Sequence, residues 1–494
     1  MTDLTHVELR AGAYADSVTL LQVSRTVQGV DGVAAAQVAM ATPLNVDVLT
    51  QMGFEVPAGA GPNDMVVALR LDDPEALERA LAGVDLALRE ASRRDSGPSE
   101  VAPPRTTAAA LTRSPDAVTL VSVPGANAFV EAMDALDADR DVMIFSDNVP
   151  LDQELALKRT ATERGLLVMG PDCGTAVVGG LGLGFANTVA PGPVGIVAAS
   201  GTGCQQLLAL LDHAGVGVTS ALGVGGRDLS ADVRGLSTRE AMRRLDADPA
   251  VELVVVVSKP PAEDVALEVR QYADTLGTPV ELALLGAGQP DITAAAEQVL
   301  RRLGHDVPSW PVHGRAAPAT SGTALAGLFV GGTLCDEAML IAAGDLGPVH
   351  SNIPLSPDLA LGPDLVAPAD GAGHTMVDFG DDALTAGRAH PMIDPTLRLD
   401  HLARVAADER TAVVLMDVVL GHGSEPDPAA LLAPAIAAVA QPVVVAVVGT
   451  GADPQGLDRQ VRALVDAGAE VHLSNAAATR RAIELLPQTG KGQR

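Results

Sequence analysis

This chain of 494 residues predicts an α/β fold, with tandem Rossmann-like (flavodoxin-like) parallel-sheet domains behind a small α+β domain. Three observations predict it. Near-continuous Val runs such as Leu253-Val254-Val255-Val256-Val257 read as strands buried on both faces. They alternate with segments of helical spacing, as βαβ units do. The junctions are short turns of Gly, Ser, Thr and Pro, most clearly Ser200-Gly201-Thr202-Gly203, where an apolar strand runs straight into a helix start.

The elements follow in order. Residues 1–95 fit strands over 6–10, 35–41 and 65–71 and helices over 16–27, 44–52 and 74–91, a compact α+β unit. Residues 96–116, rich in Pro, Ser and Thr, read as a linker. Strands over 118–123, 142–145 and 166–169, each ending in a polar or Gly turn, define a unit at 117–190. Strands over 194–198, 218–222, 253–257 and 280–284 define the next, at 191–303. A second linker, 304–321, carries three prolines and the only tryptophan. The last unit, 322–487, has strands over 326–330, 375–379, 412–416, 443–448 and 471–473. Right-handed crossovers bring the C-terminal turns of such strands to one edge of each sheet, where ligands bind.

Composition narrows the function. Aromatics are 2% of the chain, so bases have nothing to stack on, and a net charge of −29 repels a phosphate backbone. Nucleic acid is excluded as a partner on those grounds. No apolar run approaches the roughly 20 residues that span a bilayer, and the first residues lack the pattern of a secretion signal. The expectation is a cytoplasmic protein without a membrane partner. Three scattered cysteines offer neither a disulfide framework nor a thiolate metal site. The ten histidines show no metal-ligating spacing, so no metal site is expected.

The chemistry-bearing motifs are the turns. At Ser200-Gly201-Thr202-Gly203, free backbone N–H groups and the helix dipole suit an anion such as phosphate; the same turn also serves simply as tight packing. It is neither a Walker loop nor a dinucleotide fingerprint. Gly223-Val224-Gly225-Gly226-Arg227-Asp228 ends the next strand, and Arg227 is placed either to grip an anion or to pair with Asp228. Lys259, after the strand at 253–257, adds a cation or a solvated rim. Gly170-Pro171-Asp172-Cys173-Gly174 is a second anion-type turn, where Cys173 is either an activated thiol or a small packing residue, and Cys204 likewise. The loop 387–398 gathers Arg388, His390, Asp394 and Arg398 between prolines, which suits an anionic substrate with His390 as donor or acid, or a rigid structural loop. Asp378, Asp381 and Asp382 offer oxygen ligands for Mg²⁺, or a solvated acidic turn.

The strings Gly170-Pro171-Asp172-Cys173-Gly174, Gly195-Ile196-Val197 followed by Ser200-Gly201-Thr202, and Gly223-Val224-Gly225-Gly226 resemble, in order, the alpha subunit of succinyl-CoA synthetase. The last unit resembles the C-terminal domain of that enzyme's beta subunit. With Phe145-Ser146-Asp147-Asn148-Val149 and His390-Pro391-Met392-Ile393-Asp394-Pro395-Thr396-Leu397-Arg398, the chain from 5 to 485 resembles the FdrA family. The synthetases pass phosphate through a histidine in a Gly-His-Ala-Gly loop; here the matching stretch is Leu285-Gly286-Ala287-Gly288-Gln289-Pro290. Their supporting Gly-Glu-Ile-Gly-Gly turn is here Ser258-Lys259-Pro260-Pro261, an unrelated-looking unit replaces the N-terminal CoA half, and no ATP-grasp domain is expected, while 117–190 resembles a CoA-binding-type Rossmann domain and 191–303 the alpha-subunit ligase domain.

The resemblance therefore implies direct carbamoyl transfer between carbamoyl phosphate and oxamate in allantoin breakdown, within a hetero-oligomer and with no cofactor required. Ser200, Gly201, Thr202, Gly203, Gly225 and Gly226 are expected to hold phosphate. Lys259, Arg227 and His390 are expected to act in catalysis, and Arg388, Asp394, Arg398, Asp172, Cys173 and Gly174 on the acceptor. The alternatives are an acid–CoA ligase, which takes CoA and ATP with Mg²⁺, and a non-catalytic anion-binding scaffold for partner enzymes.

Overall fold

The computed structural model describes residues 4–15, 17–57, 59–95, 104–114, 116–319, 321–366, 373–385 and 388–487. Residues 96–103 and 115 of the first expected linker, 320 of the second, and Gly387 of the 387–398 loop lie outside them. The chain forms two compact units: 1–114 with 386–389, and 115–385 with 390–494.

In the first unit the strands Leu4–Arg10, Val33–Met40 and Met65–Leu71 form one antiparallel sheet with Met65–Leu71 in the middle. Helices Ser17–Gln28 and Ala76–Asp95 cover one face through Leu20, Val23, Val27, Ala80 and Val84. Leu49 and Phe54 cover the other. Burial on both faces explains why Met65-Val66-Val67-Ala68-Leu69 is apolar without alternation. The stretch read as a linker is partly helical, because Thr106 caps a short helix, Thr107–Arg113, by accepting from the Ala109 amide.

The second unit holds three sheets. Strands Thr119–Val121, Val142–Ile144 and Val168–Met169 make a small parallel one. The second sheet runs Val280–Leu284, Leu253–Ser258, Val194–Ala199, Val218–Gly223, all parallel. It continues into an antiparallel hairpin, Thr175–Val178 and Leu181–Gly184. Sequence reading placed 175–184 with the preceding unit and saw no strands there. The hairpin is short and glycine-rich, so it lacks the Val runs that mark the other strands. In the third sheet, strands Ala324–Phe329, His350–Ser351, Thr375–Asp378, Thr411–Val419, Val443–Val448 and Glu470–His472 are parallel. Val312–His313, inside the second expected linker, adds an antiparallel edge.

In both large sheets the first of the parallel strands in sequence lies between later parallel ones: Val194–Ala199 between 218–223 and 253–258, and Ala324–Phe329 between 375–378 and 411–419. Strand order thus reverses beside each first strand, and such switch points open crevices at the strands' C-terminal ends. Helices Gly201–His213 and Gly332–Leu346 leave those ends. Leu207, Leu211, Leu334 and Ala338 belong to one apolar core that also takes in Ile196 and Phe329 from the two sheets. The two helix starts are thereby brought face to face.

Candidate functional site

The site is built from two strand-to-helix turns that interlock. Ser200 caps its helix by accepting from the Gly203 amide at 2.9 Å and donates to Thr333 Oγ1 at 2.6 Å. Reciprocally, Thr202 packs on Gly331, where a Cβ would stand 2.8 Å from its hydroxyl. Val330 and Gly331 donate their amides to Asp417, at 2.8 and 3.0 Å. Asp417 is fully buried and paired with Arg398 at 3.2 Å. The amides of Gly201, Thr202, Gly332 and Thr333 have no acceptor within their own helices, because the first turn of any helix leaves them free.

Beside the second turn stand Lys259 and Asp378. A Cβ on Gly332 would come 3.2 Å from Lys259 Nζ and 2.7 Å from Asp378 Oδ2. Lys259 follows the strand Leu253–Ser258, so the switch point of the second sheet delivers its ammonium to the helix start of the third. That ammonium makes no hydrogen bond or ion pair among the described residues. Burial works against its charge, but Asp336, Asp378, Asp172 and Asp381 outweigh this and raise its pKa. Burial also pushes the carboxyls up, Asp378 and Asp172 to about 7 and Asp336 to about 6. Asp172 is itself exposed to solvent, while the protein crowded around its carboxyl disfavours the charged form.

Asp378 is fixed by Asn352, which accepts from its amide at 2.9 Å and donates to its carbonyl at 2.8 Å. Its side chain accepts from the Gly380 amide at 2.9 Å. His390 closes the far side: a Cβ on Gly380 would lie 2.8 Å from His390 Nε2 and 3.2 Å from Asp378 Oδ1. The Met392 amide donates to His390 Nδ1 at 3.2 Å, so the proton of the neutral ring sits on Nε2. Burial lowers the His390 pKa to about 4, making this ring a neutral donor near pH 7 rather than a charged acid.

The remaining sequence-derived candidates divide. Gly225 packs on the Pro171 carbonyl, and Gly226 comes within van der Waals range of Asp172, so those two turns meet. Arg227 pairs with Glu154 at 2.8 Å and donates to the Val149 carbonyl at 2.7 Å, about half exposed. Asp228, the other partner weighed for Arg227, instead holds the buried Lys158 at 2.7 Å. Arg398 is spent on Asp417 and the Leu328 carbonyl, so the structure gives it a backbone-anchoring place instead of an open carboxylate site. Asp394 accepts from the Thr396 amide at 3.0 Å at the entry to helix Thr396–Ala407, and it too has local work. Arg388 is exposed and groups with the first unit. Cys173 is buried behind the hairpin with its thiol pushed up by burial, and Gly174 accepts from the Phe185 amide at 2.7 Å. Burial likewise pushes Cys204 up to about 12. Neither cysteine is an activated thiol.

Sequence reasoning missed Gly331, Gly332, Thr333 and Asp336. The signal was present, since Gly331-Gly332-Thr333-Leu334-Cys335 repeats the small-residue and Thr/Cys spacing of Ser200-Gly201-Thr202-Gly203-Cys204 after a strand. It also read Asp378 as more of a solvated turn; the side chain is buried, because the strand end it occupies faces the neighbouring helix start.

Comparison with known proteins adds the lineage. Residues 1–104 match the family model for the AllF heavy metal-associated domain, and 328–485 match that of CoA-ligase. The first segment contains no cysteine and one histidine, His6, and the described residues hold no group of three metal-ligating side chains. Its residues do not fit a soft metal ion. The chain is 36% identical to the uncharacterized protein YahF of Escherichia coli strain K12, over 94% of this chain and 95% of that one. It is 28% identical to the succinate–CoA ligase alpha subunit of Methanothermobacter thermautotrophicus, over 30% of this chain and 50% of the relative, so it spans about half of that ligase subunit. ATP citrate lyase from Methanothrix soehngenii matches in structure with a TM-score of 0.33 and 20% identity, over 42% of this chain and 38% of the lyase. No helix among the described residues is long and apolar enough to cross a membrane. From the full-length likeness, the chain belongs to the family of YahF, in which an AllF-type N-terminal domain precedes a succinyl-CoA-synthetase-like body with a CoA-ligase domain.

Proposed function

We propose that this chain supplies the donor site of a carbamoyltransferase of the oxamate type, interconverting carbamoyl phosphate and oxamate with oxalurate and phosphate. The observation that carries the reading is the unpaired Lys259 ammonium at two abutting helix starts, ringed by the carboxyls of Asp172, Asp336 and Asp378. The ammonium and the free amides suit a phosphate group. The carboxyls suit the N–H groups of a carbamoyl donor. In the transfer, the oxamate amide nitrogen attacks the carbamoyl carbon; its bond forms as the carbon–oxygen bond to phosphate breaks. In this reading Asp378, raised to about 7, takes the proton the nitrogen loses. No enzyme nucleophile is needed, in keeping with the exposed Gln289 in the 285–290 loop and the inert thiols. The match to an AllF-type domain supports an allantoin-related role.

The test is phosphorolysis of oxalurate, followed as carbamoyl phosphate, with this chain alone and with the proteins that co-purify with it. Activity in the assembled complex that disappears in Lys259→Ala supports the reading. ATP-dependent thioester formation from CoA, with no phosphorolysis, would replace it with the ligase. Turnover untouched by Lys259→Ala would leave the chain as an anion-binding scaffold.

A further inference from the structure

The first unit has two sheet edges, and they are not alike. The edge at Val33–Met40 is closed by the helix Ser17–Gln28: Ser24 Oγ accepts from the Val38 amide at 2.7 Å, and its hydroxyl lies 3.3 Å from the Val38 carbonyl. Asn45 donates to the Met40 carbonyl at 2.8 Å. A register shift between Val33 and Ala35 further breaks that edge as a template.

The edge at Leu4–Arg10 has none of these devices. All seven residues pair with Met65–Leu71 in unbroken register on one side, and among the described residues nothing pairs on the other. The strand carries no proline, lysine or bulge, and Leu4 is 41% exposed. A row of free N–H and C=O groups of this length invites another strand.

We propose that this edge pairs antiparallel with the same edge of a second copy of the chain, about a dyad at Val7. The sequence selects both occupant and register. Centred on Val7, each His6 faces Glu8 of the other copy, and Thr5 faces Leu9. Centred one residue later, Glu8 faces Glu8, which repels, and His6 loses the carboxylate opposite it. The faces match as well. Val7 and Leu9 pack on the Phe54 side of the sheet, so the dyad joins two apolar clusters into one. Glu8 and Arg10 lie on the opposite face, where Arg10 binds Asp85 at 2.7 Å and Glu8 at 2.9 Å. An isologous contact of this kind closes without leaving an open edge.

The full-length chain by itself, in sedimentation equilibrium at micromolar concentration, is expected to form a dimer or another even-numbered assembly. His6→Glu sets two carboxylates against Glu8 of each partner, leaves the Arg10–Glu8–Asp85 set intact, and should weaken association about tenfold or more. Adding Glu8→Lys to that variant should restore it. Val7→Cys should form a self-disulfide between copies under mild oxidation, whereas Thr5→Cys should not. Unchanged circular dichroism of His6→Glu separates lost pairing from lost folding; if that variant unfolds, the cysteine pair decides. A monomeric chain, an assembly indifferent to His6→Glu, or crosslinking through Thr5→Cys as readily as through Val7→Cys would overturn the proposal. So would a strand from a different subunit on this edge.

Discussion

The two helix starts that meet inside the second unit share a spacing but are held differently. Ser200 caps its own helix, so the first turn is locally complete. Gly331 has no side chain to cap with, and its turn is held from below by Asp417, itself anchored by Arg398. An internal cap occupies the space in front of the first turn, whereas an external anchor leaves Gly332 bare toward Lys259 and Asp378. The second turn is therefore the one open to Lys259 and Asp378, although the first has the more conspicuous sequence.

Substitutions can break that contrast. The largest effect is expected from Arg398→Met, which strands the buried Asp417 carboxylate under the second turn; a stability loss of about 3–5 kcal/mol should show as a lower denaturant midpoint. Lys259→Ala breaks no close ion pair and removes only the longer-range attraction of the nearby carboxyls, so the midpoint should fall far less than for Arg398→Met while kcat/KM of the proposed transfer falls about 10²–10³-fold. An equal fall in midpoint would make Lys259 structural. Gly332→Ala sharpens the comparison, because its methyl would press on Asp378 and Lys259, and turnover should drop at least about tenfold. Gly201→Ala, whose methyl meets only Thr175 Oγ1 at 3.5 Å, should leave turnover nearly unchanged. If both glycines respond alike, the two turns share the chemistry equally. A modest stability loss is expected from Ser200→Ala, about 1 kcal/mol for a lost cap.

Protons offer an independent handle on the second turn. Asp172 and Asp378 are raised to about 7 and Asp336 to about 6, so the folded chain holds protons there that the unfolded chain releases near pH 4. For raised carboxyls, the favourable contribution is present at low pH and is lost as pH rises through 6–7. Binding of inorganic phosphate beside Lys259 should weaken over the same window as the carboxyls ionise. Calorimetric titration at pH 5.5 and 8 checks this, and Asp378→Asn should flatten the dependence. A steeper dependence in that variant would remove Asp378 from the site.

Local signals are legible in the amino-acid sequence itself. Val194–Ala199, Leu253–Ser258 and Val443–Val448 stand out because strands covered on both faces must be apolar throughout, and the turn at Ser200 because a strand-to-helix junction needs small and capping residues. Lys259 is legible as a cation at a strand end for the same reason. The hairpin at 175–184 is not, since its pairing to Val218–Gly223 supplies what its composition lacks. Nor is the meeting of Lys259 with Gly332 and Asp378, or the diversion of Arg398 to Asp417. Periodicity and turn chemistry act between neighbours in the chain, so the long apolar strands, the helices that follow them and the order of their end turns are legible from sequence, whereas the short elements at 107–113, 175–184 and 312–313 are not. Burial and charge pairing act between residues far apart in the chain, so only the packed fold shows that Arg398 is consumed in anchoring a turn while Lys259, among the described residues, makes no hydrogen bond or ion pair.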